Sequence, residues 1–276
     1  MKTNARALYL DLMKKALAYA LWPEPPIPVE TFNYKRPFYQ RLQTSALTKI
    51  LGSKYQLCKK SAITPDQIQE GNYWPLYGDT MIGLKRLDNL QFCVESVIKD
   101  GIPGDLIETG VWRGGACIFM RAILAAYDIT DRKVYVADSF EGLPKPDSEK
   151  YPVDIGDKHH IHSFLAVSLE EVENNFNRYG LLDDQVVFLK GWFKDTLPFA
   201  PIEKLAILRL DGDMYGSTMD ALINLYQKLS RGGFCIIDDY DIKRCRQAID
   251  DFRGQHGIVE EVKAIDSHSS YWRKEK

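Results

Sequence analysis

The chain has no sustained run of basic residues. Beyond pairs such as Lys14-Lys15 and Lys59-Lys60 its positive charge is scattered, and the formal net charge is −2. A polyanionic partner needs a basic stripe to displace counterions, so nucleic acid is disfavoured. Nowhere do the roughly 18 uninterrupted apolar residues of a bilayer-spanning helix occur. Asp11, Lys14 and Lys15 interrupt any signal-peptide core near the N-terminus, which leads us to expect a cytoplasmic protein without a membrane partner. The five cysteines (Cys58, Cys93, Cys117, Cys235, Cys245) include no Cys-x-x-Cys pair, and Cys117 and Cys235 fall inside expected core elements, so they read as reduced and buried. Internal repeats and low-complexity tracts are absent as well. What remains is 276 residues with 45% hydrophobic content, enough for one large core or one core plus a small appendage.

Also missing is the Gly-x-Gly-x-x-Gly spacing that seats a pyrophosphate on a helix N-terminus. Its place is taken by Asp105-Leu106-Ile107-Glu108-Thr109-Gly110-Val111-Trp112-Arg113-Gly114-Gly115. An apolar strand there meets an acid and then a glycine-bent turn that opens a helix. Trp112 occupies the position where a second close-approach glycine would admit a diphosphate, and Glu108 at the strand tip repels phosphate while accepting hydrogen bonds from an amino group or a hydroxyl. One helix later the apolar run Lys133 to Ala137 ends at Asp138-Ser139, where a second carboxylate meets ribose hydroxyls. A nucleoside cofactor without phosphates fits this pair of acids, and S-adenosylmethionine is such a compound. Gly191-Trp192-Phe193 supplies either an aromatic wall for the adenine or an ordinary core contact.

From Asp105 onward strand and helix signals alternate. Strands are expected near 105–109, 133–137, 185–190, 204–210 and 233–237, with helices near 113–127, 168–179, 215–230 and 240–255. Alternation of this kind specifies an α/β fold with a mostly parallel, doubly wound sheet. The tail, Ile258 to Val262 and Ser269 to Arg273, adds two further strands, one of them an antiparallel edge. The first hundred residues lack the pattern and read as a helical cap, giving a cap over 1–100 and a catalytic domain over 101–276. Within the cap, residues 5–22 form an amphipathic helix with Leu8, Leu12, Ala16 and Tyr19 on one face, packed on the body or on a sister subunit; a homo-oligomer is expected. A proline-rich strap from Trp22 to Pro28 follows, then a helix from Phe38 to about Leu51, then a long helix from Thr80 to Lys99 with Asp79 and Thr80 as caps.

Strand 204–210 ends in Leu210-Asp211-Gly212-Asp213 and strand 233–237 in Asp238-Asp239. Both clusters sit at carboxyl ends of strands, the edge where open α/β sheets bind ligands. If the strands are neighbours, Asp211, Asp238 and Asp239 converge, and three packed carboxylates repel unless a cation lies among them. Oxygen donors alone, with no Cys or His nearby, favour Mg²⁺ over zinc. Asp213, Tyr215, Ser217 and Thr218 open the following helix, and capping is the preferred reading of Asp213. The long polar connection from Glu141 to about Phe164 is a candidate lid. Its His159, His160 and His162 read as solvent-facing, with metal ligation or proton acceptance as alternatives.

Together, Glu108 to Gly115, Asp138-Ser139-Phe140-Glu141-Gly142-Leu143-Pro144, Gly191-Trp192-Phe193, Leu208-Arg209-Leu210-Asp211-Gly212-Asp213-Met214-Tyr215 and Asp238-Asp239-Tyr240 resemble the macrocin O-methyltransferase family. Ala7 to Leu12 and Thr80 to Leu90 resemble that family's helical cap, so the likeness covers most of the chain. It implies a Rossmann-like class I methyltransferase that uses S-adenosylmethionine and Mg²⁺ to methylate a sugar hydroxyl of a glycosylated small molecule, often a deoxysugar of an antibiotic. Carried over by position, Asp211 is a metal ligand and the general base, and Asp238 and Asp239 complete the metal site. Asp138 binds the ribose, Glu108 and Gly110 line the methionine end, and Met81 closes over the cofactor. Thr109, Arg113, Ser139, Gly191, Trp192 and Phe193 complete the cofactor set. Two departures leave the acceptor open: Gly216 stands where the resemblance leads us to expect Glu, and the lid with its three histidines matches no known acceptor.

Three other functions compete. A nucleotide-dependent sugar oxidoreductase needs phosphate-tolerant glycines and a Tyr/Lys proton relay, neither of which is evident. A non-catalytic scaffold would be expected to have lost metal acids, and all three are present. A catechol-type O-methyltransferase chelates Mg²⁺ through vicinal oxygens as well as a sugar does.

Overall fold

Four short apolar runs, each closing on an acid, a lysine or a polar turn, become the parallel core of the sheet: β3 (Asp105–Thr109), β4 (Val134–Asp138), β5 (Val186–Lys190) and β6 (Leu205–Leu210). A longer strand, β7 (Leu229–Ile237), joins them. The computed structural model describes residues 4–23, 25–29, 36–52, 54–60 and 63–275; Glu24, inside the expected strap, lies outside them. The remaining elements are α1 (Ala5–Leu17), β1 (Ile27–Pro28), α2 (Phe38–Leu51), β2 (Cys58–Lys59), α3 (Pro65–Glu70), α4 (Leu84–Lys99), α5 (Gly115–Ala126), α6 (Leu169–Arg178), α7 (Phe193–Thr196), α8 (Tyr215–Leu225), α9 (Lys243–His256), β8 (Lys263–Ala264) and β9 (Ser270–Arg273).

The sheet order is β5-β4-β3-β6-β7-β9-β8. β3 pairs in parallel with both β4 and β6, and β6 with β7. Alternate residues of each strand face opposite layers. Leu106, Val134 and Val136 pack with α1, α4, α5 and α6, while Ile107, Tyr135, Leu208 and Ile237 pack with α8 and α9. Both faces of the sheet are therefore buried, as parallel sheets require. The tail departs from expectation. Residues 258–262 form no strand, and the antiparallel strand is β9, which lies inside the sheet between β7 and the edge strand β8. The wholly buried Trp272 holds β9 there, packed against Tyr226.

The cap differs in three respects. α1 ends at Leu17, and Leu10, Met13 and Leu17 are its buried stripe, whereas Leu8 and Leu12 are 55% and 52% exposed. Two apolar stripes compete on this helix, and the contact with α5 selects the i, i+3, i+7 set that packs into the central core. Within the strap, Ile27–Pro28 is extended and pairs with Cys58–Lys59. α4 begins at Leu84 rather than Thr80. Gly83 is its N-cap, packed so closely on Gly71 that a Cβ at Gly83 would stand 2.2 Å from the Gly71 nitrogen. Asp79 is no cap; it accepts hydrogen bonds from Arg178 (2.7 Å) and Tyr179 (2.7 Å) and so ties the cap to α6. No helix among the described residues is long and apolar enough to cross a membrane.

Candidate active site

Chain connections leave β3 toward β4 on one side and β6 toward β7 on the other, so the strand order reverses between β3 and β6 and a crevice opens at their carboxyl ends. The two loops above that crevice touch. Gly110 has φ +89°, and a Cβ on it would fall 1.7 Å from the Asp211 carbonyl oxygen, so only glycine permits this approach. The Asp211 N–H donates to the Thr109 carbonyl (2.9 Å), fixing Asp211 at the tip of β6. Asp138, at the tip of β4, accepts from the Val111 N–H (2.8 Å) and the Phe140 N–H (2.7 Å), which locks the glycine turn to the start of the lid. Burial raises the Asp138 pKa, and these N–H donors pull against it.

A cavity of about 560 Å³ occupies the crevice. Of the residues expected there, Met81, Glu108, Gly110, Asp138, Ser139, Gly191, Trp192, Phe193, Asp211, Asp238 and Asp239 line it. Thr109 and Arg113 do not. Thr109 is buried in the sheet with its hydroxyl toward the Arg209 carbonyl, and Arg113 turns away to donate to the carbonyls of Leu76 (3.1 Å) and Gly78 (2.7 Å). A Thr ending a strand points alternately in or out of a site, and sequence alone does not say which.

Asp211, Asp238 and Asp239 each offer a carboxylate oxygen, all within 4.8 Å of one another. Burial first, and then mutual repulsion, pushes the carboxyls of Asp211 and Asp239 well above the usual range. Asp213 beside them is pushed up to about 6, again mainly by burial, with the charge of His159 opposing. A cation already sits at one end of the cluster. The buried Arg209 guanidinium donates to Glu108, to Asp211 (2.7 Å) and to Asp238. Arg86, from α4, donates to Asp238 (2.7 Å) and Asp266 (2.7 Å). Glu108 is thus engaged by Arg209 and by the Cys117 thiol (2.9 Å). Two guanidinium groups do not balance Glu108, Asp211, Asp213, Asp238, Asp239 and Asp266. The all-oxygen donor set facing the cavity fits a hard divalent cation such as Mg²⁺.

The lid folds over this site through short 3-10 turns at Pro152–Asp154, His159–Ile161 and Ser163–Leu165. Asp154 caps α8 from a distance in sequence, accepting the N–H groups of Tyr215 (2.9 Å) and Gly216 (2.8 Å). This displaces Asp213 from the capping role expected of it: the N-cap position is Met214, and Asp213 sits before it at φ +58°. Gly216 has a matching purpose, because a Cβ there would stand 2.6 Å from the Tyr151 ring. Tyr151 (2.7 Å) and Lys150 (3.0 Å) both donate to Asp220, and Trp112 Nε1 donates to the Phe164 carbonyl (2.9 Å), closing the lid at both ends. His159 lines the cavity and is not merely solvent-facing; His160 and His162 do not line it. Arg86, Arg209, Asp154 and His159 are the functional candidates that local sequence reasoning left out or placed elsewhere.

A family profile described as Macrocin-O-methyltransferase (TylF) matches residues 6–274. The chain belongs to the macrocin-O-methyltransferase family. Mycinamicin III 3''-O-methyltransferase of Micromonospora griseorubida is 54% identical over 272 residues, 97% of this chain and 96% of that relative. The 8-demethyl-8-(2,3-dimethoxy-alpha-L-rhamnosyl)-tetracenomycin-C 4'-O-methyltransferase of Streptomyces olivaceus is 51% identical over 274 residues, 99% of this chain and 95% of the relative. Among solved structures, the O-methyltransferase NovP superposes with a TM-score of 0.84 at 45% identity, covering 98% of this chain and 100% of that one. Membership in the macrocin-O-methyltransferase family makes the chain an O-methyltransferase with the class I methyltransferase fold, and sets aside the oxidoreductase and scaffold readings.

Proposed function

We propose that this enzyme transfers the methyl group of S-adenosylmethionine to a sugar hydroxyl of a glycosylated small molecule, with Mg²⁺ held by Asp211, Asp238 and Asp239. The observation that carries the reading is the convergence of those three carboxylates on the cavity beside the Gly110 turn. A relative supports the acceptor class, since it is named for a rhamnosyl-bearing tetracenomycin. When bound, the donor supplies an electrophilic methyl group on a sulfonium, and the metal lowers the pKa of a coordinated hydroxyl. The rest falls to the chain. Asp138, buried at the tip of β4 and fixed by the Val111 and Phe140 N–H groups, holds the ribose hydroxyls. Glu108, paired with Arg209, stands at the methionine end. Trp192, Phe193 and Trp112 line the cavity and, with the lid, exclude water from the transfer.

To test this, the protein is incubated with methyl-labelled donor, Mg²⁺ and either phenyl α-L-rhamnopyranoside or protocatechuic acid, and the label is located by mass spectrometry. Methyl on the sugar, lost in EDTA, is the expected result; methyl only on the catechol replaces the acceptor class, and full activity in EDTA removes the metal. Asp138→Ala is expected to weaken donor binding about 10- to 100-fold by calorimetry, the worth of hydrogen bonds to a charged group. Unchanged affinity removes Asp138 from the ribose site.

A further inference from the structure

A hydroxyl that becomes methylated gives up a proton, and the resemblance gives Asp211 both that proton and the metal. In the structure Asp211 already accepts from Arg209 (2.7 Å). A carboxylate that also faces a divalent cation has its lone pairs committed and its basicity lowered.

A second group lines the same cavity. His159 Nδ1 stands 2.8 Å from Asp157 Oδ2, and the His159 N–H donates to Asp157 Oδ1 (2.8 Å), so one carboxylate fixes both ring and backbone. Asp157 is buried, and Arg244 Nη1 lies 3.5 Å from the same Oδ2. Arg244 further donates to the carbonyls of Val153 (2.9 Å) and Ile155 (3.0 Å), anchoring the turn that carries the pair. An acceptor fixed at Nδ1 selects the neutral tautomer with its proton on Nδ1 and leaves the Nε2 lone pair free. The other charged or titratable groups near the ring are Asp213 and the His162 ring at 6.4 Å.

We propose that His159, oriented by Asp157, is the proton acceptor of the methyl transfer, with Asp157 and Arg244 as positioning residues. His159 Nε2 takes the hydroxyl proton while the acceptor oxygen's electron pair forms the new bond to the methyl carbon and the carbon–sulfur pair returns to sulfur. The proposal rests on the functional reading above and leaves the metal to Asp211, Asp238 and Asp239.

With phenyl α-L-rhamnopyranoside as acceptor, His159→Gln is expected to lower kcat about 10²- to 10³-fold, the usual worth of a positioned general base, while KM for donor and acceptor stays within about threefold. His159→Ala is expected to regain part of the loss in added imidazole, which a purely structural role does not allow. Long-range ¹H–¹⁵N spectra of the full wild-type chain give a readout independent of turnover: the neutral His159 ring carries its proton on Nδ1, and Asp157→Asn abolishes that preference. An Nε2–H tautomer in the wild type, or wild-type kcat in His159→Gln, overturns the proposal. A wild-type chain that methylates neither this sugar nor any other acceptor removes the functional reading itself, a result distinct from wild-type transfer with an indifferent His159→Gln.

Discussion

Asp239→Asn is expected to cut methyl transfer by more than about 10³-fold, the several kcal/mol that a catalytic cation supplies, while donor affinity stays within about threefold. Of the three clustered carboxylates, Asp239 is the one best suited to isolate the metal's contribution. Asp238 accepts from both Arg209 and Arg86, and Asp211 accepts from Arg209, so changing either disturbs the internal ion pairs together with the cavity. Asp239 accepts from the Asp213 N–H (3.0 Å), and an amide oxygen accepts that bond equally well. Asparagine therefore keeps shape and hydrogen bond and removes only the charge. Burial and the neighbouring Asp213, Asp211 and Asp238 already disfavour a charged Asp239, so the neutral side chain costs the fold nothing and the melting temperature should not fall. Titration with Mn²⁺ followed by electron paramagnetic resonance should show weakened ion binding in the same variant. Unimpaired Mn²⁺ binding together with unimpaired turnover excludes Asp239 as a ligand.

The sheet was legible because its strands are apolar runs that end on Asp, Glu-Thr-Gly or Lys-Gly, and the structure places their ends within a few residues of the reading. Asp211, Asp238 and Asp239 were legible for the same reason, since neighbouring parallel strands carry their C-terminal residues to one edge. What failed depended on partners distant in the chain. Asp154 caps α8 from the lid, and nothing near Tyr215 announces it. The choice between Leu8-Leu12 and Leu10-Met13-Leu17 as the buried face of α1 is made by α5, more than a hundred residues away. Arg209 left one local signal: an arginine between Leu208 and Leu210 in an otherwise apolar strand is a buried charge, and a buried charge demands partners. Its partner Glu108 sits on the adjacent strand in the directly paired register position, which the order of the sheet reveals and the sequence does not.

That arginine should be the costliest single residue to replace. Arg209→Met keeps an apolar stem but leaves Glu108, Asp211 and Asp238 without their shared cation, and uncompensated buried charge of this kind costs about 3–5 kcal/mol. For a chain of this size the loss amounts to a fall of about 10 °C in melting temperature. The deficit should depend on pH with a definite sign. Burial raises the Glu108 pKa and Arg209 is the strongest influence holding it down, so in the variant Glu108 titrates still higher when folded. A carboxyl whose folded pKa exceeds its unfolded value takes up a proton on folding, so stability is gained as pH falls and lost as pH rises through the interval between the two values. Arg209→Met is therefore expected to lie closer to wild type at pH 5 than at pH 8. Arg209→Lys should fall between, because an ammonium is a point charge that cannot fork among three carboxylates. Mg²⁺ should raise the variant's melting temperature more than that of the wild type, since a cation bound only to the folded chain restores part of the missing charge. Equal melting curves for Arg209→Met and wild type at pH 8 would show that the three carboxylates do not depend on this guanidinium.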